Sequence, residues 1–184
     1  VAEAGTDEQR ADVLGALSTG SRLLAFAHEE PGRRWNSTAS AVTATEADGT
    51  WTLTGVKEPV PGGDADQLVV SALLPGGATG LFLVDGQATD RTTSTAVDGS
   101  RVSRIAFSST PATPLGEANA DASDAIATVL DRARIAACHE ALGGMEKALE
   151  ITTGYLRSRE QFGVTLNHFQ ALKFAAADMY VSLE

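Results

Sequence analysis

Cysteine is nearly absent from the chain, and long apolar runs are absent altogether. Cys138 has no second cysteine with which to form a disulfide, and its place in an alanine-rich stretch predicts a buried, inert thiol. No apolar run reaches the roughly 20 residues that span a bilayer, and the acidic start lacks the layout of a signal peptide. We therefore expect a cytoplasmic protein that does not cross a membrane.

Basic residues are also scarce. The 184 residues include 14 Lys and Arg against 24 Asp and Glu, which gives a formal net charge of −10. Such a surface repels nucleic acid and anionic membranes, so we expect neither as a partner. An anionic ligand needs a local cluster of positive charge against this background. The candidate clusters are Arg132, Arg134, Arg157 and Arg159, and the pair Arg33 and Arg34.

Several signatures of catalysis are missing as well. No Gly-x-Gly-x-x-Gly follows a predicted strand, and no nucleophile elbow marks a hydrolase triad, so a dinucleotide-binding fold and a serine hydrolase are not supported. His139 and Glu140 lack the second histidine of a metalloprotease helix, and His28 and His168 stand alone. We expect no metal site.

From Leu130 onward, the apolar residues recur at helical spacing and no proline interrupts them. The pattern predicts two long helices joined by a bend at Phe162-Gly163. Asn167 and Gln170 fit a capping box at the start of the second helix. The apolar stripes are Leu130, Ala133, Ala137, Ala141, Met145, Leu149 and Leu156 in the first helix, and Leu172, Ala176, Met179 and Tyr180 in the second.

Tyr155, Arg159 and Phe162 follow one another at helical spacing near the bend, so we expect them on one helical face. The planar guanidinium of an arginine can hold a phosphate through two parallel hydrogen bonds. The same side chains would serve equally well to cap the helix, form an ion pair or pack against a neighbour. On the residues alone, both interpretations stand.

The middle of the chain, residues 38–110, alternates apolar with polar residues, and turn residues separate the runs. Asp48-Gly49 predicts a tight hairpin turn before a strand in which Trp51 faces the core. Thr6 and Gln9 fit a capping box that opens an N-terminal helix. The whole pattern predicts an α+β fold: a small antiparallel β-barrel, or two packed sheets, flanked by helices. Further strands are expected within 23–28, 66–74, 80–84 and 101–108.

The segment from Tyr155 to Met179 resembles the C-terminal helical domain of the acyl-CoA dehydrogenase family, in its R-x-x-F-G element and in the Phe-Gln and Ala-Asp-Met that follow. In that family the Arg and Phe of this element, and the Gln after the bend, contact FAD bound mainly to a neighbouring subunit. The resemblance implies FAD-binding roles for Arg159, Phe162 and Gln170, and an oligomer of related subunits. It also implies the end of an N-terminal helical domain at 1–22, a middle β domain at 23–120 and the first C-terminal helices at 121–184.

The loop Glu29-Glu30-Pro31 resembles the T-E-P loop of the family, and Gly55-x-Lys57 matches another of its landmarks. The resemblance implies that Phe26, His28 and Glu29 bind the cofactor and that Trp35 and Arg134 bind the substrate. Glu29 stands where the family has Thr, and Arg34 and Trp35 replace Gly and Ser. Pro59-Val60-Pro61 replaces a Trp-Ile-Thr that lies against the flavin ring, which removes two backbone donors.

The implied activity is α,β-dehydrogenation of an acyl-CoA thioester in lipid β-oxidation, with FAD as hydride acceptor and a flavoprotein as the next electron acceptor. That reaction needs a carboxylate base. One position that the family uses for the base holds Ala133 here, so we expect the base beyond Glu184 and no turnover by this piece alone. The altered flavin-facing residues favour an alternative, a non-catalytic structural subunit of a hetero-oligomeric acyl-CoA dehydrogenase that lends FAD contacts to a partner. A flavin monooxygenase or acyl-CoA oxidase of the same fold is a third interpretation.

Overall fold

A computed structural model describes residues 1–33, 38–39 and 41–184 of the chain. The chain forms two compact units, Val1–Thr128 and Val129–Glu184, which are described in turn.

The first helix, α1, spans Asp7–Ser18 and opens with the predicted capping box. The backbone N–H of Gln9 donates to the Thr6 hydroxyl at 3.2 Å, and the backbone N–H of Thr6 donates to the Gln9 side-chain oxygen at 3.1 Å. The Gln9 side chain also donates to the carbonyl of Pro114 and accepts from the N–H of Gly116. This one glutamine therefore caps its own helix and ties that helix to the end of the last strand.

The β-strands of the first unit are short and separated by tight turns. Asp48 and Gly49 both have positive φ, at 50° and 73°, as a two-residue type I′ hairpin turn requires, so the predicted hairpin is confirmed. The strands are β1 (Leu24–Ala27), β2 (Thr43–Ala47), β3 (Thr50–Pro61), β4 (Gln67–Leu73), β5 (Thr79–Asp85), β6 (Asp90–Thr95) and β7 (Arg101–Pro114).

The strand pairings form a closed ring. β4 pairs with β2, β2 with β3, β3 with β7, β7 with β5, and β5 again with β4, while β1 lies beside β4 and β6 beside β7. The predicted α+β class with a small barrel is therefore confirmed. The pairings of β1 and β2 with β4 are parallel, whereas the others are antiparallel. Strand β6 was not predicted, because its residues are all polar and it pairs along one edge only.

The barrel interior holds the core of the first unit. Trp51 and Leu53 are buried, and the Trp51 ring lies 5.3 Å from that of Phe82. Ile105 and Phe107 on the neighbouring strand β7 belong to the same buried cluster. Alternate residues of β3 therefore point inward, as the period of two predicts.

The second unit consists of the greater part of a 36-residue helix, α2 (Ser123–Ser158), a two-residue hairpin and a shorter helix, α3 (Gln170–Leu183). The hairpin strands are β8 (Glu160–Gln161) and β9 (Val164–Thr165), so the predicted bend at Phe162-Gly163 is confirmed. Half-buried side chains on the two helices include Leu149, Leu156, Leu172, Ala176 and Met179, whereas the stripe from Ala133 to Met145 is exposed in this chain.

Two predictions for the second unit are wrong. The capping box at Asn167 does not form, since α3 begins only at Gln170 and a 3₁₀ turn occupies Leu166–His168. Asn167 instead accepts a hydrogen bond from the Thr165 hydroxyl, a local bond that competes with capping. The thiol of Cys138 is exposed rather than buried, because no residue described in the second unit covers this part of α2.

Candidate functional site

The first candidate site is the hairpin that joins α2 to α3. Helix α2 ends at Ser158, and the backbone N–H of Arg159 makes the last helical bond, to the Tyr155 carbonyl at 2.9 Å. The carbonyl of Arg159 then accepts from the N–H of Leu166, which closes the hairpin. The prediction that Tyr155, Arg159 and Phe162 share one helical face is therefore wrong for Phe162, which lies beyond the end of the helix.

The position and backbone conformation of Phe162 are unfavourable for the isolated chain. Its side chain is 93% exposed, and its φ of 55° lies in the left-handed region that bulky residues rarely adopt. Its only ring neighbour in the described structure is Phe169, which it meets edge to face at 6.2 Å. An exposed aromatic ring in a strained turn contributes little to folding, so its position indicates a contact surface.

Arg159, three residues before Phe162, carries a positive charge. Its side chain is exposed, and its guanidinium makes no hydrogen bond or ion pair with any residue that the structure describes. Gln170 is also exposed and is the first residue of α3. The three residues predicted to bind FAD here thus lie in one short segment, and all three side chains are exposed.

Arg134, a predicted substrate contact, lies elsewhere on α2. It is exposed and pairs with Asp131 one turn earlier, at 2.6 Å between Nη1 and Oδ1. About 24 helical residues separate it from the hairpin, which corresponds to roughly 35 Å along the helix. The structure therefore does not bring Arg134 to Arg159 within the second unit.

The second candidate site is at the end of β1 in the first unit. The rings of Phe26 and His28 stack with centroids 5.3 Å apart and planes 15° apart. Phe26 and Glu29 are half-buried, whereas His28 is buried. The carbonyl of Glu29 accepts from the backbone N–H of Glu58 at 2.9 Å. Trp35, the other predicted substrate contact, and Arg34 lie outside the described residues.

A buried charged cluster lies directly behind this segment. Lys57 on β3 is fully buried and donates from Nζ to the His28 carbonyl at 2.9 Å, to Glu30 Oε1 at 2.9 Å and to the Ser71 hydroxyl at 3.0 Å. Sequence reasoning used Lys57 and Glu30 only as landmarks and missed their contact. A signal was present, because Lys57 continues the inward-facing alternation of Trp51 and Leu53, where a charge needs a buried partner.

Glu30 is the counter-charge of this cluster. Burial alone raises the pKa of the Glu30 carboxyl. The hydrogen bond and charge of Lys57, with the N–H groups of Val42 and Ala41, outweigh burial and bring that pKa down to about 2. Burial lowers the pKa of the Lys57 ammonium, and the neighbouring Glu30 opposes that shift.

The prolines that replace the family's Trp-Ile-Thr both lie within β3. The β3–β7 register shifts between Lys57, which pairs with Ile105, and Val60, which pairs with Ser103. Pro59 lies inside that irregularity and cannot donate to the ladder. The strand therefore continues past the prolines, and Val60 between them is buried in the core.

Comparison with known proteins gives a consistent result. A profile of the acyl-CoA dehydrogenase C-terminal domain matches residues 123–184. The short-chain specific acyl-CoA dehydrogenase of Megasphaera elsdenii is 32% identical over 98% of this chain and 50% of its own length. The solved Tcur3481-Tcur3483 steroid ACAD variant is 37% identical over 98% of this chain and 48% of that one, with a TM-score of 0.82.

The chain belongs to the acyl-CoA dehydrogenase family. It spans about half the length of the curated relatives that it matches. A solved family member, a glutaryl-CoA dehydrogenase from Mycobacterium smegmatis in complex with FADH2, is 25% identical over 97% of this chain and 48% of its own, with a TM-score of 0.88. Another relative, from Acetobacterium woodii, is the CarC subunit of a caffeyl-CoA reductase-Etf complex, at 29% identity over 98% of this chain and 51% of the relative.

The residues of this chain fit FAD at the hairpin better than at β1. At the hairpin an unpaired guanidinium and an exposed ring suit a ligand that carries both phosphates and an aromatic system. At β1 a stacked ring pair is present, but Glu29 brings a carboxylate and Pro59 and Pro61 bring no N–H donors. In the described parts of the chain no helix is long and apolar enough to cross a membrane, and no group of three potential ligands could hold a metal ion.

Proposed function

We propose that this chain is part of a flavin-dependent acyl-CoA dehydrogenase that oxidises the bond between the α and β carbons of an acyl-CoA thioester. On this proposal 1–22 ends an N-terminal helical domain, 23–120 is the middle β domain and 121–184 begins the C-terminal helical domain. FAD, when bound, supplies the acceptor for the hydride that leaves the β carbon. No residue of this chain is assigned as the base that removes the α proton.

The observation that carries the proposal is the hairpin with Arg159 and Phe162. A guanidinium without a partner in the described structure and a 93% exposed ring lie three residues apart in sequence, at the motif that the family uses to contact FAD. Arg159 would hold phosphate oxygens through its planar fork, and Phe162 would pack its ring against the cofactor. Gln170, exposed at the start of α3, would add a hydrogen bond.

The residues of β1 and its loop would contact the cofactor from the middle domain. Phe26, His28 and Glu29 would line it, and Trp35 with Arg134 would contact the substrate. The acceptor of electrons from the reduced flavin would be a separate flavoprotein, a proposal supported by the relative that belongs to an Etf complex. An oligomer of related subunits, a place in lipid β-oxidation and a cytoplasmic location complete the proposal.

A second candidate function is a non-catalytic subunit that lends the hairpin to FAD held by a related partner. Two observations favour it: the carboxylate of Glu29 where the family has a hydroxyl, and prolines at 59 and 61 where the family has donors and an indole. Both functions need Arg159 and Phe162, so the hairpin does not distinguish them. Glu29 and the two prolines of β3 do distinguish them.

A visible absorption spectrum of the purified protein, alone and with a related partner subunit, tests the proposal. Flavin bound to the protein alone, with turnover of an acyl-CoA by a dye-coupled assay, would support the dehydrogenase. A colourless protein that joins a yellow, active complex only with the partner would support the lending subunit. Absence of flavin from both preparations would contradict both functions.

A further inference from the structure

The ammonium of Lys57 uses all of its donors. A lysine ammonium carries three N–H bonds, and Nζ contacts three acceptors at 2.9, 2.9 and 3.0 Å. These acceptors come from three places in the chain: the backbone after β1, the Glu30 side chain and Ser71 on β4. One side chain of β3 therefore holds the end of β1 against β4.

Glu30 also holds residues further along the chain. Its Oε2 accepts from the N–H of Ala41 at 3.0 Å, and its Oε1 accepts from the N–H of Val42 at 3.1 Å. The carboxylate thus joins the two ends of the segment that runs from Glu30 to Ala41. The residues just before that segment, Phe26 to Glu29, are therefore held by Lys57 at His28 and by the fixed position of Glu30 that follows them.

The same cluster determines the tautomer of His28. Lys57 can only donate, so the Ser71 hydroxyl accepts from it, and the remaining described partner of that hydroxyl is Nδ1 of His28 at 2.8 Å. The Ser71 proton is hydrogen-bonded only if Nδ1 accepts it. The opposite arrangement would leave a buried hydroxyl proton without an acceptor among the described residues, at a cost of about 1–3 kcal/mol. Nδ1 is therefore the acceptor, and the ring proton is on Nε2.

We propose that Lys57, Glu30 and Ser71 are positioning residues, which hold Phe26, His28 and Glu29 in place for the cofactor and fix His28 as its Nε2–H tautomer. The reference to the cofactor rests on the proposed function, whereas the anchoring and the tautomer do not. Because the rings of Phe26 and His28 are stacked, a displacement of His28 would move both predicted cofactor contacts together.

A positioning role can be separated from a contribution to stability. Removal of one member of a buried ion pair destabilises a protein strongly, whereas replacement of both members is often neutral. The stability of the fold should therefore largely return when both charges are removed. The bonds from Nζ to the His28 carbonyl and to the Ser71 hydroxyl would not return, because a methionine side chain has no N–H donor.

The first experiment compares Lys57→Met, Glu30→Gln and the double variant with the wild type. We measure the midpoint of urea unfolding, the amide hydrogen exchange of residues 26–29 and the FAD dissociation constant of the purified oligomer. Lys57→Met should lower the midpoint and the double variant should recover most of it. In Lys57→Met and in the double variant, amide exchange at 26–29 should accelerate. In the same two variants, FAD affinity should fall by at least about tenfold, as expected for displaced contact groups.

Recovery of exchange protection and FAD affinity together with the midpoint in the double variant would overturn the positioning role. If the single variants fail to fold, the double variant and Ser71→Ala still decide. If the wild type itself retains no FAD, the proposed function fails, while the exchange data and the tautomer still test the anchoring.

The second experiment uses Ser71→Ala, with Ser103→Ala as the matched control. Ser103 is equally buried on a strand and bonds to Thr93 at 2.9 Å, outside the cluster. The ¹⁵N shifts of the imidazole, assigned by loss of the signal in His28→Gln, report the tautomer directly. The wild type and Ser103→Ala should show Nε2–H, and in Ser71→Ala the Nδ1 shift should change because the hydroxyl that donates to this atom is removed. A wild-type ring protonated at Nδ1 would overturn the assignment.

Discussion

The Nζ atom of Lys57 lies 2.9 Å from Oε1 of Glu30, and their side chains are 0% and 3% exposed. The other described ion pairs of this chain are far more exposed; that of Lys147 with Glu150, for example, has side chains 63% and 68% exposed. A pair in water contributes little, whereas breaking a buried pair leaves an unpaired charge in the interior. The stability of the β domain should therefore depend on the charge state of Glu30.

Lowering the pH should reveal how the stability of the β domain depends on the charge of Glu30. The pKa of Glu30 is about 2 in the fold, against an ordinary value of 4.5. Because the folded pKa is the lower one, the stabilisation is complete above pH 4.5 and is lost as the pH falls towards 2. We expect the difference in unfolding free energy between wild type and Glu30→Gln to shrink by on the order of 2 kcal/mol across that window.

Urea unfolding at a series of pH values measures this difference. The surface carboxyls with lowered pKa values, Asp12, Asp64, Asp98 and Asp121, are present in both proteins and cancel. A difference that stays constant from pH 6 to pH 2 would show that Glu30 does not titrate as a paired group.

Gly116 should be far less replaceable than Gly144. Gly116 has φ of +83°, and a Cβ placed there would lie 2.2 Å from the carbonyl oxygen of Ala4. Gly144 lies inside α2, where a Cβ would meet nothing within 4 Å. Gly116→Ala should lower the unfolding free energy by about 2 kcal/mol or more, whereas Gly144→Ala should raise it by about 1 kcal/mol. Thermal or urea unfolding of the two variants checks this, and equal effects would contradict it.

Features that depend on neighbouring residues were predictable from the sequence, and those that depend on distant contacts were not. The capping box at Thr6 and the turn at Asp48-Gly49 are determined within four residues. Lys57 and Glu30 are 27 positions apart, and no local pattern joins them. The sequence predicts the start of the second helix two residues early, because a local bond of Asn167 replaces the expected cap.

In the candidate site, too, the features set by nearby residues were predictable and those set by distant contacts were not. The hairpin was found because its motif is continuous, although Phe162 leaves the helical face on which spacing alone would put it. The stacking of Phe26 on His28 follows from their separation of two residues, which puts both on one face at the end of β1. The tautomer of His28 could not be predicted, since it depends on Ser71 in a different strand.

Phe162→Asn should stabilise the chain while weakening its contact with flavin. Asparagine tolerates the left-handed conformation and forms the preferred Asn-Gly turn with Gly163. The lost side chain is almost fully exposed, so we expect the unfolding free energy to rise by about 0.5 kcal/mol. Flavin retained by the assembled protein should fall, as measured by absorbance after gel filtration.

Asp48→Asn is the matched control for that variant, because Asp48 occupies the same position of the other described type I′ turn, with φ of 50°. It should change neither stability nor flavin content appreciably. Full flavin retention by Phe162→Asn would remove Phe162 from the site.

Arg159→Ala should lower flavin retention without unfolding the protein, and Arg157→Ala should not. Both arginines are exposed near the end of α2, so each substitution removes one positive charge from the same region. Only Arg159 occupies the arginine position of the R-x-x-F-G motif. Its carbonyl closes the hairpin, and alanine keeps that backbone bond. Arg159→Lys keeps the charge but loses the planar fork, so its flavin retention should lie between those of wild type and Arg159→Ala. Equal losses in Arg157→Ala and Arg159→Ala would indicate a general electrostatic effect, since net charge alone would then explain the result.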